Sequence, residues 1–189
     1  ATMRRKDREM SVDIGLEVID RAEFGVLSLV NLQGEVYSVP LSIARDGMQL
    51  YFHSARSGLK NTLLEEGKKV RVVFVSDVRV PELFENSQLD QILAEERGIE
   101  MLGSKVFTTE FASAIVTGKI AIEDTDEGKP HGLKVICEKL VPGKMAYFEA
   151  AAYGALAITS VYRIDIEAIT AKRKKFDDKG EEMKFQRME

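Results

Sequence analysis

Along the chain the apolar positions recur first every three to four residues and then every two. The opening helical stretch covers residues 12–22. Ile14, Val18, Ile19 and Ala22 share one face there, and Ser11 supplies a capping hydroxyl. After it the period changes. Residues 24–32 are rich in Val, Leu and Phe, as in a buried strand, and Gln33-Gly34 marks a turn. Over 35–43 the side chains alternate: Tyr37, Val39, Leu41 and Ile43 lie on one face, Val36, Ser38, Pro40 and Ser42 on the other. Asp46-Gly47 is a hairpin pair and 48–54 reads as a third strand, so the three strands are expected to form a meander.

Further on, a helix is predicted over 58–66, capped by Ser57, with Leu59 and Leu63 four apart. The β-branched run 70–76 predicts a buried strand. Within 81–103, Leu89, Ile92 and Leu93 predict a helix with one apolar face, inserted between strands. A long strand follows over 111–123, then a charged turn over 123–128. The next helix covers 130–140, with Leu133, Ile136, Cys137 and Leu140 on its stripe. A last strand covers 156–169, with Tyr162, Ile164, Ile166 and Ala168 facing away from Arg163, Asp165 and Glu167. Strands in runs with helices inserted among them predict a mainly β fold with flanking α, a six-stranded antiparallel barrel. The charged stretch from Lys172 predicts a solvated tail, or one that folds against a partner subunit.

Composition narrows the classes. A chain of 189 residues suits one domain, 1–189, able to bury about 70% of its unfolded surface without a staple. Cys137 is the single cysteine and His53 and His131 the two histidines, so no disulfide framework and no metal centre are expected. The net charge of −4 argues against a nucleic-acid partner. The longest nearly uncharged stretch, 150–162, is shorter than the roughly 20 residues of a membrane-spanning helix. The charged N-terminal segment is not a secretory signal, so no membrane partner and a cytoplasmic location are expected.

Candidate chemistry concentrates in His53-Ser54-Ala55-Arg56-Ser57-Gly58-Leu59-Lys60-Asn61, which joins a strand to a helix. A helix start offers free N–H groups, two serines add hydroxyls, and Arg56 and Lys60 add charge, the donor set a phosphate needs. The residues alone leave a second reading open: an ordinary Ser57 cap with two solvated cations. Pro40 inside an alternating strand indicates an edge, or a place where a sheet face is uncovered and a flat ligand can dock. His53 either donates to a ligand or bonds to nearby backbone. Cys137 reads as an inert core residue and His131 as surface. There is no dinucleotide fingerprint, Walker loop, nucleophile elbow or zincin motif, and no catalytic residue is assigned. Any redox chemistry would fall to a cofactor.

Four stretches together resemble the pyridoxamine 5′-phosphate oxidase-like superfamily of FMN-binding split barrels, and within it the Nim-type nitroimidazole reductases. They are Met3-Arg4-Arg5-Lys6-Asp7-Arg8-Glu9, Tyr37-Ser38-Val39-Pro40-Leu41, and Leu50-Tyr51-Phe52-His53-Ser54-Ala55 running on to Gly58-Leu59-Lys60. The fourth is Val161-Tyr162-Arg163-Ile164-Asp165-Ile166 with Ile169-Thr170-Ala171-Lys172-Arg173. The resemblance implies a homodimer with FMN between subunits. Val39, Pro40, Leu41 and Ser42 would line the isoalloxazine ring, and His53, Ser54, Lys60 and Asn61 would hold the ribityl phosphate. Ser113, in Phe111-Ala112-Ser113-Ala114, matches a family strand that approaches the flavin. It further implies a flavin-dependent oxidoreductase carrying electrons from a donor such as NAD(P)H to a small acceptor such as a nitro-aromatic. A haem-binding or haem-degrading protein with His53 as axial ligand, or a non-catalytic flavin-binding module, are the alternatives. The sequence departs from the family at Leu59, where a basic or polar residue is common. It also lacks the C-terminal arginine motif with which pyridoxamine phosphate oxidases proper bind substrate.

Overall fold

The computed structural model describes residues 3–55 and 62–184. Helix α1 (Val12–Arg21) begins as its sequence requires: Ser11 Oγ accepts from the Ile14 N–H at 3.4 Å, and Val18 and Ile19 are fully buried. Strand β1 (Glu9–Met10) precedes it. Next come β2 (Gly25–Val30), β3 (Val36–Leu41), β4 (Ala44–Asp46), β5 (Gln49–Ala55) and β6 (Lys69–Arg79). Between β6 and β7 (Glu110–Glu123) lies an insertion with α2 (Asn86–Glu95) and α3 (Leu102–Lys105). The chain ends with α4 (Gly128–Leu140), α5 (Phe148–Ala155) and β8 (Thr159–Lys174). Both halves of the predicted 58–66 helix start, Ser57 and Leu59 included, fall outside the described residues; Thr62 and Leu63 are helical. No helix among the described residues is long and apolar enough to cross a membrane.

All strand pairs are antiparallel, in the order β3-β2-β6-β7-β8-β5-β4 with β1 added on β8. Six long strands make the barrel, as expected, and the two-residue β1 and three-residue β4 raise the total to eight. The expected meander is not formed. β2 and β3 pair through the Gly34 turn, but β5 pairs with β4 and β8, at the far end of the path. Alternation identifies strands but not their neighbours, which burial across the whole sheet decides. Only Ser42 and Ile43 separate the two ends of the path, β3 and β4, and that link spans at most about 11 Å. The sheet must therefore curl enough to bring the end of β3 within that reach of the start of β4, although no ladder joins the two strands; this junction is the seam.

The curled sheet encloses one core. Leu27, Leu50, Phe52, Val72, Phe74, Val116 and Ile164 point inward and are inaccessible to solvent, each contributing roughly 1.5–3 kcal/mol on burial. Phe52 and Tyr162 stack at 5.1 Å between ring centroids. Helix α1 closes one end against β6, β7 and β8, and α4 covers the outside of β5. Gly132 allows that approach, because a Cβ there would lie 2.7 Å from Val161 Cγ2's sister methyl Cγ1 and 2.9 Å from Tyr51 Cδ1. The apolar face of α2 is present but buries no residue, and Leu93 is 56% exposed.

Three sequence expectations are corrected. First, alternation along β8 does not run unbroken to Ala168. Gly118 pairs with Ile166 and Thr117 with Ala168, so Glu167 is an unpaired bulge residue. The bulge reverses the phase: Ala168 is exposed, and Ile169 and Ala171 take over the inward positions. Second, the last strand begins at Thr159 and not at 156: residues 156–158 form a turn, and Phe148–Ala155, given no element from the sequence, is a helix, as its three consecutive alanines favour. Third, the charged tail is not simply solvated. β8 runs on to Lys174, Phe176 is buried, and Phe176 bridges to Glu182. Glu182 Oε1 then accepts from Arg8 Nε at 2.6 Å, and Lys184 Nζ lies 3.0 Å from Asp7 Oδ2. The tail is charged because its partners are the charged residues of its own N-terminal segment.

Candidate functional site

The seam gathers the candidates from two strands. β3 ends the strand path, the edge position a proline requires, and Pro40 pairs with Val26. Alternation turns Leu41 inward, buried, and packs Val39 against the core, while Pro40 and Ser42 face out and are exposed. Leu41 can therefore meet a ligand only through its backbone, and Val39, half-buried, mainly so. Ala44 pairs with Tyr51, and Ser42 and His53 each stand two residues from that pair. The crossover thus delivers Pro40–Ser42 to the part of β5 that carries His53 and Ser54.

On β5, His53 and Ser54 point to opposite faces. Ser54 is buried on the side of Phe52, its Oγ donating to Ala55 O at 3.1 Å. His53 is exposed on the outer side and lines a small cleft of about 200 Å³ against α4 and α5, with Leu133, Cys137 and Phe148. Burial raises the Cys137 thiol above its ordinary range, as suits an unreactive packing residue. Lys60 and Asn61, with Arg56, Ser57 and Gly58, lie outside the described residues.

Ser113 stands on β7, three strands along the sheet from Pro40, about 14 Å measured across the strands and two residues further along β7. It faces outward between Val75 and Lys172. Next to it runs an outward row across five strands: Pro40, Val26, Val73, Ile115 and Thr170. This outer surface is smooth, made of β-branched and small side chains, and uncovered: Val75 is 46% exposed and Ile115 41%. The Ser28 and Ser38 hydroxyls share a 2.8 Å hydrogen bond beside it. The row was readable in the sequence only as the second face of strands judged by their buried face.

Further out, the β5, β7 and β8 strands carry a polar network on their outer surface. Tyr51 Oη donates to Gln49 Oε1 at 2.9 Å, Gln49 Nε2 to Asp165 Oδ1 at 3.2 Å, and Arg163 pairs with both Asp165 and Glu123. The Arg163 hydrogen bond holds the Asp165 carboxyl below its usual range, and burial raises the Tyr51 phenol. His131 contacts Asp46 at 3.0 Å on the exposed side of α4, the surface position expected for it. These groups fix the outer shell of the barrel and do not converge on the seam.

A family profile described as pyridoxamine 5′-phosphate oxidase matches residues 12–173. No curated protein matches the chain. Among solved structures, the fold is similar to a proposed 5-nitroimidazole antibiotic resistance protein from Bacteroides thetaiotaomicron, at 18% identity and a TM-score of 0.64, covering 87% of this chain and 86% of that one. It is similar to the FAD and heme binding protein from Mycobacterium smegmatis, at 17% identity and a TM-score of 0.66, covering 88% and 73%. The flavocytochrome Anf3 from Azotobacter vinelandii superposes with a TM-score of 0.69 at 13% identity, covering 97% and 81%. At these identities the likeness establishes the split-barrel fold.

Proposed function

Because the chain belongs to the pyridoxamine 5′-phosphate oxidase family, we propose that it binds a flavin, FMN in particular, and works as a flavin-dependent oxidoreductase on a small acceptor such as a nitro-aromatic. The observation that carries this reading is the seam, where the crossover after β3 sets Pro40–Ser42 beside His53 and Ser54 at the start of the 56–61 cassette. A flavin is flat and apolar with one polar edge and a phosphate. The outward, uncovered surface around Pro40 and Val26 fits the ring, and the open backbone of an edge strand offers donors for its polar edge. Lys60, Asn61 and His53 would hold the phosphate with their side chains; the Ser54 hydroxyl faces the core, so Ser54 would contribute through its backbone. When bound, the flavin supplies reversible electron transfer, and the protein binds and orients it. NAD(P)H is the proposed electron donor.

The reading includes a homodimer with the flavin between protomers. Two features support it: the exposed apolar outer surface, larger than scattered single residues would make it, and the separation of Ser113 from Pro40. One flavin can be reached by both more readily in a site shared by two chains. Names of the solved neighbours include FAD and heme, which keeps haem as the second reading, with His53 as its ligand. The cleft beside His53, about 200 Å³, is smaller than the roughly 300–1,000 Å³ of small-molecule sites and would not enclose a haem.

The visible spectrum of the purified protein tests the proposal. A flavin double band supports it, a Soret band replaces it with haem, and a colourless protein that refuses added FMN overturns it. Lys60→Ala should weaken FMN binding; unchanged affinity would remove Lys60 from the site. Bleaching of bound flavin by NADH or NADPH, and its recovery with a nitro-aromatic, separates an enzyme from a carrier.

A further inference from the structure

At the end of the barrel closed by α1, three strand ends and the last residue of the helix frame a pocket of about 370 Å³. Arg21 comes from α1, Asp77 and Arg79 from the end of β6, Glu110 and Phe111 from the start of β7, and Arg173, Lys174 and Lys175 from the end of β8. The volume lies within the range of small-molecule sites. Its charges do not cancel. Arg21 pairs with Asp77 at 3.0 Å and Arg79 pairs with Glu110, which uses both carboxylates of the lining. Arg173, Lys174 and Lys175 remain in excess.

Arg173 is the most telling of the three. Its Nε is the one buried side-chain nitrogen or oxygen among the described residues that has no hydrogen-bond partner. Leaving a buried guanidinium N–H without an acceptor is unfavourable, so its retention asks for a reason. Burial and the neighbouring Arg21 both disfavour its charge, and Asp77 and Glu17 offset this only in part. Lys174 is buried too, its ammonium donating to Thr108 Oγ1 and lying 5.5 Å from the Phe176 ring. Asp77 sits at φ +54° where the β6–β7 register breaks, a left-handed conformation that is uncommon in a non-glycine residue. That irregularity sets Asp77 against Arg21 rather than against Arg173.

We propose that this pocket binds the oxyanion group of a small molecule, a phosphate or a carboxylate, with Arg173 as its principal donor and Lys175 at the rim. A guanidinium presents Nε and Nη in a fork that matches two oxygens of one such group. The Phe111 ring forms an apolar wall for the body of the molecule. The inference does not depend on which cofactor the protein carries, since it uses none of the residues assigned to the flavin.

The test uses the full chain, saturated with whichever cofactor it carries, in chloride buffer free of phosphate and carboxylates. Inorganic phosphate and succinate are titrated separately by calorimetry. Binding of phosphate, weakened tenfold or more in Arg173→Gln, supports a phosphate ligand; the same pattern with succinate supports a carboxylate. Lys175→Gln, at an exposed position, should weaken binding severalfold while leaving thermal unfolding unchanged, and it decides the matter if Arg173→Gln does not fold. Failure of both anions to bind overturns the proposal. So does binding of equal strength in wild type and every folded variant, which would place the anion elsewhere.

Discussion

The Lys139 ammonium, near the end of α4, donates to Ile43 O at 2.9 Å and to Ile19 O at 2.9 Å. Ile43 lies in the two-residue crossover that closes the seam, and Ile19 lies in α1. One side chain thus ties two helices to the link that positions Pro40–Ser42.

Lys139→Met keeps the length of the side chain and removes the donor. Two buried carbonyls lose a charged partner, and a destabilisation of about 1–3 kcal/mol is expected, measured by urea unfolding. Burial lowers the Lys139 pKa, with Asp20 opposing. A base whose folded pKa is depressed binds fewer protons folded than unfolded, so its contribution to stability rises with pH up to the free-lysine value of about 10.4. Stability should therefore increase more between neutral pH and that value in wild type than in Lys139→Met. Parallel pH profiles would remove Lys139 as the source.

Gly118→Ala tests the bulge. A Cβ at 118 would lie 2.4 Å from Asp165 O and 2.7 Å from Ile164 Cγ2, and one of those contacts is backbone. Because β8 cannot retreat without breaking its ladder to β5, the strain should cost about 1–3 kcal/mol. Thermal unfolding reads it directly, and an unchanged midpoint would show that the strands can separate locally.

The tail's ion pairs make a pH-dependent clasp. Burial opposes the charge of Glu182, but Arg8 and Lys184 outweigh it and hold its carboxyl below the usual range. A depressed carboxyl stabilises above its unfolded pKa and loses that contribution as pH falls. Glu182→Gln should cost about 1 kcal/mol or less at neutral pH, and its difference from wild type should shrink below about pH 4.3. A double-mutant cycle with Arg8→Ala isolates the pair; zero coupling at neutral pH would mean that the clasp contributes nothing.

The outer sheet surface predicts an assembly phenotype. Val75→Asp and Ile115→Asp replace outward, half-exposed side chains, so unfolding should change by about 0.5 kcal/mol or less. Under the dimer reading, sedimentation should shift towards monomer, with flavin lost in parallel. A wild-type sedimentation profile retained by both variants would move the interface to another face.

Much of the fold was legible from local chemistry. Ser11 before an amphipathic run gave α1, and Tyr37, Val39, Leu41 and Ile43 fall on the inner face as alternation predicts. Asp46-Gly47 closes a hairpin because Gly47, at φ +57°, takes the left-handed turn. Pro40 was readable as an edge residue, and it lies on the terminal strand. The candidate site was legible less evenly. His53 and Ser54 are adjacent in sequence, and a strand sends adjacent side chains to opposite faces. Pro40 and Ser113 were grouped by resemblance, and two strands, β2 and β6, lie between them. The helix over 148–155 was missed because an alanine-rich run beside a β-branched strand gives no clear period.

What is periodic and local can be read from the order of residues alone: most of the strands and helices, which face of each is apolar, and where the chain turns. Those follow from backbone geometry and from which side chains avoid water, and each is decided within a few residues. Packing of the whole barrel sets which strands are neighbours, brings the ends of β3 and β4 together across Ser42–Ile43, and places the bulge at Glu167 that reverses the faces of β8. It alone placed Lys174 inside and left Arg173 Nε without a partner, because burial is a property of the whole barrel and charge alone does not predict it.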